Sequence, residues 1–192
     1  MLITQTIFIY CLCDEVVQSL AIKDDAQCKM TTAEVMTFVL LSSIHYKCNY
    51  QTTRHVIIAN RFFSKMLSYS RLIRRIHAIP EKAWIIAFQV CQQSLTRKNN
   101  NFYIVDSFPV PVCQNNKIFR CKLLQGKSYH GYTASKKSYF WEIKVHMIVD
   151  LQGVPIEFLF TPGSESDIRA FRRFNLNLPP SSKTPKCDLL CR

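Results

Sequence analysis

All four glycines of this 192-residue chain, at 126, 131, 153 and 163, lie in its second half. Glycine is the residue that most readily breaks regular structure, so a long stretch without one favours helices over turn-rich sheet. Residues before about 100 therefore read as helices, and the periodicity supports that. A first helix covers about 4–20, and its apolar opening, MLITQTIFIYCLC, reads as the start of a buried helix. That opening lacks a basic leader and a small-residue cleavage site, and it is too short to span a bilayer before Asp14 and Glu15. A second helix starts at Thr31, where T-T-A-E offers a capping box closed by Glu34. The run VMTFVLLSSIHY is apolar on nearly every side, as suits the central helix of a bundle. A third helix covers about 51–61. A fourth begins near Ser68 or Ser70, and Pro80 breaks it before AWIIAFQVCQQSL continues to about 95.

The polar tract TRKNNN at 96–101 marks a boundary, beyond which the pattern changes to strands. FYIVD (102–106) is a short apolar strand ending in a carboxylate. In YFWEIKVHMIV (139–149), Trp141, Ile143, Val145 and Met147 alternate with Glu142, Lys144 and His146. D-L-Q-G is a hairpin turn, VPIEFLF (154–160) the returning strand, and a helix follows at about 167–174. The expected division is a helical region over 1–96, an α/β region over 102–175 and an irregular tail over 176–192. The fold class is α+β.

Lys and Arg number 25 against 13 Asp and Glu, a formal charge of +12. Such a surplus favours a polyanionic partner, because each neutralised phosphate releases condensed counterions. The charge is concentrated in two windows without carboxylates, between Glu34 and Glu81 and between Asp106 and Glu142. In the first, Arg71, Arg74, Arg75 and His77 form a stripe at helical spacing, read either as a surface along DNA or as a solvated face. The second holds Lys117, Arg120, Lys122, Lys127, Lys136 and Lys137, mixed with Phe119, Tyr129, His130 and Tyr132. Basic groups hold phosphates and rings can stack on unpaired bases, although an ordinary loop has the same composition. The nine cysteines include no C-x-x-C pair, which excludes zinc-site spacing; they read as buried, reduced thiols of a cytoplasmic protein.

Asp106 can be a carboxylate at a sheet rim or an Asp capping the turn D-S-F-P. Lys144 and His146, two apart on one strand, can reach one site, where His146 would contact a phosphate or aid a metal; a half-exposed surface histidine is the plainer reading. Glu165 and Asp167 are expected to cap the helix they precede, with metal ligation second.

The stretches DDAQCKMTTAEVMTFVLL, MLSYSRLIRRIH, YIVDSFPVPVC, GYTASKKSYFWEIKVHMIVDLQGVPIEF and TPGSESDIRAF resemble the DDE-type transposases of bacterial insertion sequences, most closely the nine-eighty-two insertion-sequence family. The resemblance implies a ribonuclease H-like mixed sheet flanked by helices, of which this chain would hold the first three strands and one helix. It implies Asp106 as the first of three acids holding two Mg²⁺ ions, double-stranded DNA with the element's terminal repeats as partner, and a homodimer on DNA. The sequence departs from the family after TPGSESD. Asp188 is the only later acid and has no apolar strand before it, and the third acid has no counterpart. The expectation is a C-terminally truncated transposase, inactive alone and leaving its first strand as an open edge. A DNA-binding module that competes for the element's ends, and a relic that does not fold, are the other readings.

Overall fold

The computed structural model describes residues 2–95, 103–113, 120–124, 126–133, 137–174 and 190–191. It divides into two compact units, Met1–Cys91 and Gln92–Arg192.

The first unit is helical, with α1 Leu2–Ser19, α2 Thr32–Tyr46, α3 Tyr50–Asn60, α4 Tyr69–Ala78 and α5, which runs Glu81–Leu95 and so passes into the second unit. The capping box at Thr31 is present. Glu34 N donates to Thr31 Oγ1 at 3.1 Å, and Thr31 N donates to Glu34 Oε2 at 2.8 Å. Two of the amides that a helix start leaves orphaned are thereby satisfied. α2 is the central helix: Val35, Met36, Phe38 and Leu41 are buried in a core shared with Cys13 and Val16 of α1, Ile57 of α3 and Leu72 of α4. Phe38 alone is worth several kcal/mol of burial, on the order of 3–5 if cut to alanine. α1 departs from the expected buried start. It buries Thr6, Ile9, Cys13, Val16 and Val17 on one side and leaves Ile3, Ile7 and Phe8 exposed on the other. An apolar run says that a helix has hydrophobic faces but does not supply neighbours for all of them.

The second unit is a small, mainly antiparallel sheet, with β1 Tyr103–Pro111, β2 His130–Thr133, β3 Ser138–Asp150, β4 Pro155–Pro162 and β5 Leu190–Cys191, and a short α6, Asp167–Phe171. The strand order is β2-β3-β1-β5, with β4 also on β3. With the helices before it, this is the expected α+β arrangement, consistent with a ribonuclease H-like domain. The β3–β4 turn is held by Asp150, whose Oδ1 accepts from Gln152 N and Val154 N, both at 2.9 Å. Gly153 completes it at φ +81°, a backbone region that costs side-chain-bearing residues energy.

Two expectations are corrected. The first strand does not end at Asp106; it runs on through S-F-P-V-P to Pro111, paired in register with β3 as far as Glu142. Proline normally ends a strand because it lacks the ladder N–H. Here, past Val105, no described strand flanks β1 on its other edge, so Pro109 and Pro111 can be accommodated. The second concerns the tail, expected to be irregular. Leu190 and Cys191 instead pair parallel with Ile104 and Val105, on the edge of β1 expected to be open. Asp188 lies outside the described residues.

Candidate functional site

Successive strand residues face opposite sides, and residues paired across strands share a side. The register therefore sorts the candidate residues. One cross-strand row is Asp106, Met147 and Phe158, and the next is Ser107, His146 and Leu159. Asp106 thus shares its face with apolar neighbours, including Ile104 and Phe108 two positions away on its own strand. It is exposed, and its Oδ1 accepts from the adjacent Ser107 N at 2.8 Å. The candidate residues on this sheet are consequently separated: Lys144 and His146, expected to contact DNA, lie on the face opposite Asp106, the expected catalytic acid.

That opposite face carries a connected polar cluster. Asp167 Oδ1 accepts from Ser107 Oγ at 3.0 Å and from Lys144 Nζ at 3.3 Å. Lys144 Nζ also donates to the Glu165 carbonyl at 3.0 Å. His146 places Nδ1 3.7 Å from Asp167 Oδ1, beyond hydrogen-bond length, and Nε2 2.9 Å from Thr161 Oγ1. His146 is 2 % exposed, which corrects the half-exposed surface histidine of the sequence reading. Its strand lies between β1 and β4, and Thr161 and Asp167 come up against the ring, which alternation along one strand does not show. Burial pushes its imidazole below the ordinary value, against the pull of Asp167 and with the help of Lys144. Partial burial raises the Asp167 carboxyl, but the hydrogen bonds from Ser107 and Lys144 and the charges of Lys144 and His146 outweigh it, leaving it below its usual range. Asp167 is not the helix cap expected of it. Ser166 is the N-cap residue, without a side-chain cap, and Asp167 turns back to the sheet. Its link to Ser107 and Lys144 could not be read from the sequence, because it spans separations of 60 and 23 residues.

Arg120, Lys122, Lys127 and Lys137 are exposed, Lys127 within a 3-10 turn over Lys127–Tyr129. Lys117 and Lys136 lie outside the described residues. β2 and β3 gather His130, Tyr132, Tyr139 and Trp141 on one face, with His130 and Tyr139 stacked at 5.7 Å. From the sequence Trp141 is placed only in the apolar row of its strand and Tyr139 is not singled out, since only the β2–β3 pairing joins them to His130.

The arginines of α4 in the first unit differ in their surroundings. Arg75 Nη2 meets Asp24 Oδ1 at 2.6 Å and also reaches the Met30 carbonyl and Thr32 Oγ1, both at 3.3 Å. Its guanidinium serves the fold. Arg71 and Arg74 instead line a cavity of about 370 Å³ together with Gln27, Cys28, Lys29, Met30, Leu67 and Arg75. Thiols also differ from expectation: Cys13 is buried, but Cys11, Cys48 and Cys91 are exposed and Cys28, Cys113 and Cys121 are half-buried. No described helix is long and apolar enough to cross a membrane.

Asp106 is the candidate seat of a divalent metal. Among the described residues no three of His, Cys, Asp and Glu come together to hold one, and the neighbours of Asp106 across the sheet are apolar. One carboxylate among thioether and aromatic side chains is too weak a donor set for hard cations, which take several oxygen ligands. The described residues alone therefore do not make up a metal centre.

Residues 97–189 match the family described as Transposase DDE domain. The match takes in β1 to β4 and α6 and none of α1 to α5, and it supports a DDE transposase, an enzyme family of the polynucleotidyl transferase type that generally uses divalent metal. No curated protein and no solved structure matches the chain.

Proposed function

We propose that this chain acts in DNA transposition and engages double-stranded DNA at the ends of an insertion sequence of the nine-eighty-two family. The observation that carries the reading is the Transposase DDE domain match, in which the first strand bears an exposed Asp106. A surplus of +12 suits a phosphate-rich partner. Arg71 and Arg74 in the helical unit, with Arg120, Lys122, Lys127 and Lys137 in the sheet unit, are the groups proposed to hold the backbone. Lys117 and Lys136 belong to the same proposal from sequence. Lys144 and His146 are proposed to act only indirectly, since both are engaged with Asp167, Glu165 or Thr161.

In a complete site, Asp106 would be one ligand of the divalent cations that activate an attacking water or 3′-hydroxyl for cutting and joining phosphodiester bonds. The donors described around Asp106 do not fit that role by themselves, so the proposal for this chain is binding without cleavage, in the cytoplasm. The same observation favours a second reading, a DNA-binding module that occupies element ends in competition with intact enzyme. Incubating the purified chain with supercoiled plasmid and Mg²⁺ tests both. Retarded but unnicked plasmid is the expected result. Nicking that vanishes in D106N would show a competent catalytic site, and absence of retardation would remove DNA from the reading altogether.

A further inference from the structure

The cavity between the 27–30 segment and α4 is built and braced in a way that the basic stripe alone does not reveal. Its lining residues contribute four cations, Lys29, Arg71, Arg74 and Arg75, and no carboxylate. Arg75 is neutralised by Asp24, while Arg71 and Arg74 have no ion pair among the described residues. Arg71 and Arg74 are neighbours on the surface of α4, where like charges three apart oppose helix formation unless an anion sits between them. The floor is apolar, made by Met30 and Leu67, which are 1 % and 8 % exposed.

Both walls are fixed. Arg75 ties α4 to Asp24 and the Met30 carbonyl, and Asp24 also accepts from Thr32 N and Thr32 Oγ1, both at 2.7 Å. Gln27 N donates to Asp25 Oδ1 at 2.8 Å and Cys28 N to the Asp25 carbonyl at 2.8 Å, shaping the turn that leads into the wall. Arg54 Nε holds the Leu67 carbonyl at 3.0 Å. Two arginines without a carboxylate partner, of which Arg74 donates only Nε to the Ser70 carbonyl at 3.4 Å, stand over a braced apolar floor and match a tetrahedral phosphate carried on a sugar: the forked guanidiniums meet the oxygens and the floor meets ribose carbons.

We infer that this cavity is a seat for one backbone phosphate of duplex DNA, with Arg71, Arg74 and Lys29 as its ligands and the Asp24–Arg75 pair as the brace. The inference rests on the DNA reading above. One seated phosphate contributes to binding through counterion release, irrespective of base sequence.

Titrating a short fluorescein-labelled duplex with the whole chain, over salt from about 50 to 200 mM, tests it. R71Q/R74Q should weaken binding of every duplex sequence, and the slope of log K against log salt should become shallower by about 0.9, the share of one phosphate. R71K/R74K, which keeps both charges, should retain most of the slope; thermal melts superimposable on the unmodified chain establish that both variants are folded. An unchanged slope in folded R71Q/R74Q would overturn the seat and leave DNA binding elsewhere on the chain intact. Failure of the unmodified chain to bind any duplex would overturn the seat together with the DNA reading.

Discussion

Asp106 and His146 stand on opposite faces of one antiparallel sheet, because Asp106 pairs with Met147 and it is Ser107 that pairs with His146. A single-residue step along β1 therefore separates an exposed carboxylate in an apolar row from a buried imidazole in a polar cluster. The two sets of side chains answer to different perturbations.

Asp106 faces solvent, and its described side-chain bond is a local one to Ser107 N. D106N should change stability by no more than about 0.5 kcal/mol, as surface substitutions do, and should leave plasmid retardation as it was. A thermal melt and a gel shift check this. A loss of roughly 1 kcal/mol or more would mark Asp106 as a structural cap.

His146 should make the sheet unit sensitive to acid. Its native value is depressed, while the unfolded imidazole titrates near 6.5. The unfolded chain then binds the proton first, so stability is fully present above about pH 6.5 and falls as pH drops from there through the native value. Melting curves between pH 7.5 and 5 should show the loss, and H146Q should flatten that part of the profile. An unchanged slope in H146Q would mean that another group governs it.

Asp24 and Arg75 should couple energetically. Their side chains are 19 % and 30 % exposed, and Asp24 additionally satisfies Thr32. Partial burial raises the Asp24 carboxyl, but the bonds from Arg75 and Thr32 draw it below its usual range. D24A should cost about 1.5–3 kcal/mol, as for a charged hydrogen bond, with a double-mutant cycle against R75A giving at least about 0.5 kcal/mol of interaction. The pair's contribution should hold above the ordinary carboxylate range and fade as pH falls below it. Strict additivity of the two substitutions in urea unfolding would contradict the brace.

Cys13 should resist alkylation while Cys11, two residues away, reacts. Burial, which outweighs a bond from Thr37, pushes the Cys13 thiol up to about 11, so almost no thiolate forms at neutral pH. Peptide mapping after a brief exposure to iodoacetamide at pH 7.5 should find label on Cys11, Cys48 and Cys91 and none on Cys13. Comparable labelling of Cys13 would show that the α1–α2 core opens freely.

What the chain determines by itself is local. The glycine-free first half, the T-T-A-E box at Thr31, Pro80 and the D-L-Q-G turn each act within a few residues, and the helices and the hairpin follow from them. The strand at 139–149 was legible because a half-buried strand repeats every two residues, and the match to a transposase DDE domain follows the same second half of the chain. The tertiary structure decided which side each strand turns toward and what lies there. That His146 is enclosed, that Asp167 returns to Lys144 and Ser107, that β1 continues past its prolines, and that Arg75 is bound to Asp24 while Arg71 and Arg74 line a cavity all depend on partners 21 to 60 residues away or on a neighbouring strand. Local propensity and periodicity act over a turn or a strand. Register and long-range pairing are chosen by the packing of the whole unit, and the candidate sites of this protein are made at that level.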